Sequence, residues 1–221
     1  GREDLLLADE LNHASLIDGG RLSGAEYRRL PHRDLSALDA TLEAEPASDR
    51  LRLVVSDGVF SMDGDILDLP GVQARCARHG AALMIDDAHG FGVLGAGGRG
   101  IAEHYGTALP DIHVATLGKA LGSGGAFVAG SRDLIEFLVQ RARSWVFSTA
   151  PPPVLAAAAH AALDILRGEP ERLAGLRANI AHFRAAAAER GLRFEASETA
   201  IQPLLVGAAD RTMALSQALY A

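Results

Sequence analysis

Short apolar runs recur along the first half of the chain and a little beyond, each separated from the next by a longer stretch of mixed character. They occupy residues 5–8, 27–30, 51–56, 82–86, 112–117 and 126–129. Their Leu, Val and Ile content, bounded by Gly, Asp and Pro, predicts β-strands. Residues 34–43 and 69–79 repeat their apolar positions at helical spacing, with Asp34 and Asp68 placed as N-caps and Pro70 in a first turn. Asn12-His13-Ala14-Ser15, after the first run, opens another helix. The alternation predicts βαβ units and hence an α/β fold, a mostly parallel sheet with helices on both faces. From Ser131 the pattern turns helical, over residues 132–143, from the Pro151-Pro152-Pro153 triplet to about 167, and over 169–190. Residues 193–207 lean towards β, and the chain stops inside a helix at Ala221. These patterns divide it into a large domain, residues 1–167, and the beginning of a small α+β domain, residues 168–221. Both ends fall inside elements, so the chain reads as the middle of a longer polypeptide.

Composition narrows the function classes. A hydrophobic fraction of 48% with mean hydropathy +0.11 supports a buried core. No apolar run approaches the roughly 18 residues that span a bilayer, and residues 1–8 do not resemble a secretory signal. The net charge of −7 is spread through the chain, which argues against nucleic acid as a partner. The single Cys76 cannot close an internal disulfide and fits a reducing, cytoplasmic setting.

Charge composition also exposes one outlier. Of 21 basic residues 20 are Arg, and the only Lys is Lys119. A guanidinium stays protonated and cannot act as an amine nucleophile, so Schiff-base chemistry in this chain can belong only to Lys119. It lies in Thr116-Leu117-Gly118-Lys119-Ala120-Leu121-Gly122-Ser123-Gly124-Gly125, among residues too small to shield it. Ligand chemistry in a parallel sheet sits beyond the carboxyl ends of the strands, where residues 57–65, 86–100 and 116–125 fall.

Asp86 completes the apolar run 81–85, and a desolvated carboxylate there needs a cationic or hydrogen-bonding partner, such as a protonated heteroaromatic nitrogen or one of the Arg residues. Asp86, Asp87 and His89 are possible metal ligands, but three groups within four residues of a strand end converge poorly on one ion, and no metal is expected. Gly90-Phe91-Gly92-Val93-Leu94-Gly95 matches the dinucleotide fingerprint, yet Gly97, Gly98 and Gly100 leave no helix to receive a pyrophosphate. Gly118-Lys119-Ala120 lacks the hydroxyl residue of a P-loop. His13 either stacks on an aromatic ligand or caps its helix. Ser61, in a turn after a strand, either donates to a ligand or serves the turn. His32, His79, His104, His113, His160 and His182 show no clustering and read as structural or surface residues.

Taken in order, residues 12–15, 57–65, 86–92, Gly98-Arg99-Gly100, 116–125 and Ser148-Thr149-Ala150-Pro151-Pro152 resemble the α-oxoamine synthases, fold-type I pyridoxal-phosphate enzymes, over nearly the whole chain. The resemblance implies a homodimeric acyltransferase that condenses an amino acid with an acyl thioester and releases CO₂. Asp86-Asp87-Ala88-His89-Gly90, Ser148–Pro152 and Ile201-Gln202-Pro203 favour L-alanine and a pimeloyl thioester, carried by coenzyme A or a carrier protein, over glycine and an acetyl group. A non-catalytic ligand-sensing module of the same fold is the competing class. Carried over, Lys119 holds pyridoxal 5'-phosphate and later acts as base at Cα. Asp86 bonds the pyridinium nitrogen, and His13 stacks on the ring. His89 and Ser61 address the phenolic oxygen, Ser61 also standing near the substrate carboxylate. Thr116 contacts the phosphate, and Thr149 reaches it from the neighbouring subunit. Asp57 stands where the family often has Glu. The family's glycine-rich phosphate cradle and its carboxylate-binding Arg would lie outside these 221 residues, so this stretch alone is not expected to turn over.

Overall fold

The computed structural model describes residues 1–45 and 50–220. Six strands form one sheet: β1 (Leu5–Asp9), β2 (Glu26–Leu30), β3 (Arg52–Asp57), β4 (Ala82–Asp86), β5 (Ile112–Thr116) and β6 (Ala126–Gly130). Their order is β2-β1-β3-β4-β5-β6, parallel throughout except for β6, which returns antiparallel beside β5. Helices α1 (Ala14–Leu22), α2 (Leu35–Ala44), α3 (Leu69–His79) and α4 (Ile101–Tyr105) connect the parallel strands. Right-handed crossovers put α1 on one face and α2, α3 and α4 on the other, and α3 packs against both α2 and α4.

The core lies between the sheet and that second set of helices. Leu5, Leu7, Val54, Leu83 and Ile85 point from alternate strand positions onto Leu38 and Leu42 of α2, Leu69, Val72 and Cys76 of α3 and Ile101 of α4. Local chemistry agrees with the pattern at the helix starts. The Asp34 carboxylate accepts from the Ser36 and Ala37 N–H groups, and Asp68 accepts from Gly71 N–H. Gly80 ends α3 in the left-handed conformation, which costs glycine nothing.

From β6 onward fewer side chains are buried. Helices α5 (Arg132–Arg141), α6 (Arg143–Val146), α7 (Pro153–Gly168), α8 (Pro170–Glu189) and α9 (Ala209–Leu219) follow. Trp145, Phe147, Val154 and Leu205 stand exposed. The helix expected at the end of the chain is α9; Ala221 lies outside the described residues.

Residues 193–207 form no strand, contrary to their composition. Their polar side chains bond elsewhere instead of lying along a ladder: Ser197 and Thr199 hydroxyls donate to the Gly64 carbonyl, at 2.8 and 3.1 Å, and the Gln202 amide donates to Ser197 O and Thr199 O. Side-chain partners of this kind compete with sheet pairing, and Pro203 has no N–H to give to one. The short helix α4 was not expected so close behind Gly100. It begins because the Asp87 carboxylate accepts the Ile101 N–H at 2.9 Å.

Ile85 is fully buried between sheet and helices. Ile85→Ala should lower the unfolding free energy by roughly 2–5 kcal/mol, the usual cost of such a cavity, as read from denaturant midpoints.

Candidate active site

The strand order reverses direction between β1 and β3: the chain leaves β1 towards β2 on one side and leaves β3 towards β4 on the other. Crevices at such a switch point collect ligands at the carboxyl ends of the strands. Here those ends carry Asn12 and His13 after β1, Asp57 closing β3, Asp86 closing β4, and the glycine-rich turn that joins β5 to β6.

Asp57 and Asp86 are register partners in the β3–β4 ladder, so their side chains share a face. Asp57 is only 3% exposed. Burial pushes its carboxyl up to about 7, and the neighbouring Asp86 and Asp9 charges add to that; the His13 N–H, donating at 2.6 Å, and the Lys119 charge pull the other way. Asn12 locks the same corner. Its amide donates to Val55 O and its carbonyl accepts the Asp57 N–H, both at 2.9 Å. Asp86 is half-buried, and its Oδ1 accepts the Ala88 N–H at 3.0 Å.

Lys119 reaches into this corner from the β5–β6 turn. Its Nζ lies 2.7 Å from His89 Nε2. Desolvation lowers the Lys119 amine below the ordinary lysine value, while the charges of Asp86 and Asp57 hold it up. His89 is lowered as well, by burial first and then by the Lys119 charge. A neutral imidazole therefore faces an amine that sheds its proton more readily than a surface lysine. The turn is braced from within: Leu117 N–H donates to Gly125 O, Ser123 N–H to Leu117 O, and Ser123 Oγ to Leu155 O on α7. Across it lies Gly92, in the left-handed conformation, where a Cβ would stand 2.4 Å from the Ala120 methyl.

Asp87 faces the other way. Its carboxylate is fully buried and accepts from Ile101 N–H and, at 3.1 Å, from His113 Nε2. Asp86, Asp87 and His89 thus do not converge, and among the described residues no group of three acidic, His or Cys side chains could hold a metal. Gly90 and Gly100 close on this carboxylate: a Cβ on either would overlap its oxygens.

The structure brings Lys119, Asp86, His89 and His13 into one electrostatic neighbourhood. His13 does cap α1, its Nδ1 accepting from Ser15 N–H, yet the ring stays exposed. Capping uses one edge of the ring and leaves its face free. Ser61 sits at the tip of the turn between β3 and α3 and makes none of the cluster's hydrogen bonds. The Thr116 hydroxyl is occupied within its own turn, donating to Gly125 O at 3.1 Å and accepting from Gly118 N–H at 3.2 Å. Thr149 is exposed between α6 and α7 and stands apart from the cluster. Sequence reasoning placed Asp57 and Asn12 in motifs near two strand ends but gave neither a role. It also left His32, His79 and His113 unpaired, whereas each bonds a carboxylate: Asp9 and Asp65, Asp39, and Asp87 respectively.

An amine of lowered pKa, a neutral imidazole beside it and paired carboxylates that lack a full complement of cations suit a ligand with an electrophilic carbonyl and a protonated ring nitrogen. The fold and this site define a member of the transaminase-like enzymes. The family profile described as Aminotransferase class I and II matches residues 1–221, and the chain belongs to that family. An 8-amino-7-oxononanoate synthase of Methylococcus capsulatus is 55% identical over 94% of this chain and 54% of its own length. A serine palmitoyltransferase from S. paucimobilis, solved with a bound PLP–myriocin aldimine, matches with TM-score 0.94 at 29% identity, over 100% of this chain and 57% of that one. An 8-amino-7-oxononanoate synthase from Francisella tularensis matches with TM-score 0.82 at 32% identity, over 100% of this chain and 64% of that one. Both kinds of enzyme are α-oxoamine synthases, as the motifs implied. The chain spans about half the length of the curated relatives it matches.

Asp57 yields a pH prediction. Its folded value, about 7, lies above the unfolded carboxylate value of 3.8, so the folded state binds the extra proton between them. Stability from this group is present below the unfolded value and is lost as pH rises through about 7. Asp57→Asn, which keeps an acceptor for His13 N–H, should match the parent near pH 4 and exceed it by roughly 3–4 kcal/mol at pH 8, as read from denaturation at the two pH values.

Proposed function

We propose that this chain is the cofactor-binding part of a pyridoxal-phosphate-dependent acyltransferase. It would condense L-alanine with a pimeloyl thioester, release CO₂ and give 8-amino-7-oxononanoate, a step of biotin synthesis. The observation that carries the reading is the Lys119 amine 2.7 Å from His89 beside the Asp57–Asp86 pair. Its relatives, at 55% and 51% identity, support the choice of product. Pyridoxal phosphate, when bound, supplies an electrophilic carbonyl and a ring that accepts electron density while its nitrogen is protonated.

Each residue of the cluster then has a task. Lys119 holds the cofactor's carbonyl and moves the proton at alanine Cα. Its lowered basicity suits both roles, because an amine must be neutral to attack or to accept a proton. Asp86 accepts the ring N–H. Asp57, its register partner, fixes His13 through its backbone. His13 lays its exposed face on the ring. His89 and Ser61 address the phenolic oxygen, Ser61 also facing the substrate carboxylate. Thr116 accepts a place near the phosphate only if its hydroxyl gives up Gly125. Thr149, exposed beside Trp145 and Phe147, is suited to reach the phosphate site of a second subunit in a homodimer. The acyl carrier is coenzyme A or a carrier protein. A cytoplasmic location accords with the biosynthetic relatives and with Cys76, a buried thiol that burial pushes up to about 12. Among the described residues no helix is long and apolar enough to cross a membrane. Residues 1–167 are read as the large domain and 168–221 as the start of the small one from the order of the sequence patterns.

Two measurements on the full-length parent protein test this. Borohydride treatment of the cofactor-loaded protein should fix the label to Lys119 in peptide maps, and labelled CO₂ should be released from L-alanine with a pimeloyl thioester but not from glycine with an acetyl thioester. Unlabelled Lys119, or thiol release from glycine and an acetyl thioester without CO₂ from L-alanine, contradicts the reading. Neither CO₂ nor free thiol from either substrate pair, with cofactor bound, contradicts the reading and indicates a sensing module.

Asp86→Asn should retain the cofactor and slow exchange of the alanine Cα proton by about tenfold or more, the difference between a charge-assisted and a neutral hydrogen bond. Exchange at the parental rate removes Asp86 from the ring nitrogen.

A further inference from the structure

His32 stands outside the cluster, just after β2, yet it joins two of the segments that build it. Its Nδ1 lies 3.0 Å from Asp9 Oδ1 at the end of β1, and its Nε2 lies 2.9 Å from Asp65 Oδ2 in the turn after β3. A neutral imidazole has one N–H and can donate to one carboxylate only. The alternative, a protonated carboxyl donating to the ring, is disfavoured by what the two acids already accept. Asp9 takes the Leu11 N–H at 2.8 Å and the Arg33 N–H at 2.7 Å, and Asp65 takes Arg33 Nη1 at 2.7 Å. Both oxygens of Asp9 and Oδ2 of Asp65 thus already accept from donors other than the ring, Asp65 Oδ1 being buried without a partner, and a clamp on both acids takes a hydrogen on each ring nitrogen.

We propose that His32, held as an imidazolium between Asp9 and Asp65, is a positioning residue that ties the Ser61 turn to the segment bearing Asn12 and His13. This rests on the reading above only in taking Ser61 and His13 to face the ligand. The ring also packs edge-on against Phe60, at 4.4 Å between centroids. Phe60 N–H donates to Asp65 O at 3.1 Å and Gly64 N–H to Phe60 O at 2.8 Å, which closes the turn with Ser61 at its tip. His32 therefore grips both legs of that turn. On its other side Asp9 orients Leu11, one residue before Asn12. Arg33 adopts φ of +54°, the only non-glycine residue with positive φ among those described, and its N–H and guanidinium are both used by the same two carboxylates. Such a conformation persists only where surrounding contacts over-determine it.

The charges facing His32 are those of Asp9, Asp65 and Arg33, together with Glu10, whose carboxylate accepts the His32 backbone N–H at 3.1 Å. Burial alone would lower the His32 value; the hydrogen bonds and charges of Asp9 and Asp65 outweigh it and raise it. The clamp is complete below the raised value and loses one of its two links as pH climbs through it.

Proton–nitrogen correlation spectra of the histidine-labelled protein decide the charge state without cofactor or turnover. Both His32 ring nitrogens should be protonated at pH 7; a single-tautomer pattern there overturns the proposal. The second arm uses the full-length, cofactor-loaded parent. His32→Gln keeps a single donor nitrogen and puts an acceptor oxygen in place of the second, and should raise KM for the amino acid about tenfold, as expected for one lost charge-assisted bond, with kcat little changed. His32→Arg, a cation with forked donors, should bring KM back towards the parent. Unchanged KM in the Gln variant, or equal impairment in both, overturns the proposal. Should the Gln variant not fold, the Arg variant decides alone: near-parental KM supports the clamp and a tenfold rise contradicts it. A parent that binds no pyridoxal phosphate would sink the functional reading and leave the spectroscopic result standing.

Discussion

The pairing of β3 with β4 in parallel register is the constraint on which the site depends. It sets Asp57 opposite Asp86 on one face of the sheet, at the end where the strand order reverses. Two carboxylates side by side in a partly dry corner repel each other, and one of them is driven towards its protonated form. Asp57 is that one: it is the more buried, and the His13 N–H does not offset the desolvation. Asp86 keeps more solvent. The same field acts on Lys119, whose amine is weakened by desolvation but kept from falling further by the two acids.

Alternation along the β4 end gives adjacent residues opposite tasks. Asp86 faces the crevice, while Asp87 turns into the core, where burial lifts its carboxyl and His113 and the Ile101 N–H pull it back part-way. Asp87 thereby starts α4, anchors the glycine loop of 90–100 and holds the segment that carries His89. Removing either partner of so buried a pair leaves the other uncompensated. The Lys119 cluster and the hydrophobic core are thus joined through one carboxylate, one residue away from Asp86.

What could be read from the sequence was local or singular. The strand runs, the Asp34 and Asp68 caps and the lone Lys119 in its glycine-rich turn were all visible, because each depends on neighbours in the chain or on uniqueness. Contacts between distant segments were not. Nothing near His32 announces Asp9 and Asp65, 23 and 33 residues away. Nothing near Asp57 shows that Asn12 and His13 close over it. Residues 193–207 have a strand's composition, but their hydroxyls find Gly64, more than 130 residues earlier, in place of a neighbouring strand. Thr116 looked free to meet a phosphate, and its hydroxyl is tied into its own turn.

The central claim is that desolvation beside Asp57, Asp86 and His89, outweighing the two acidic charges, makes Lys119 a more reactive amine than an ordinary lysine. Because the chain has a single lysine, its reactivity can be followed without interference from others. The pH dependence of acylation at Lys119 by an amine-selective reagent, read by mass spectrometry of the Lys119 peptide, gives its titration directly. The account predicts a midpoint below the ordinary lysine value of 10.5. A midpoint at or above that value would contradict it, since the carboxylates would then dominate over desolvation and the amine would be a surface cation.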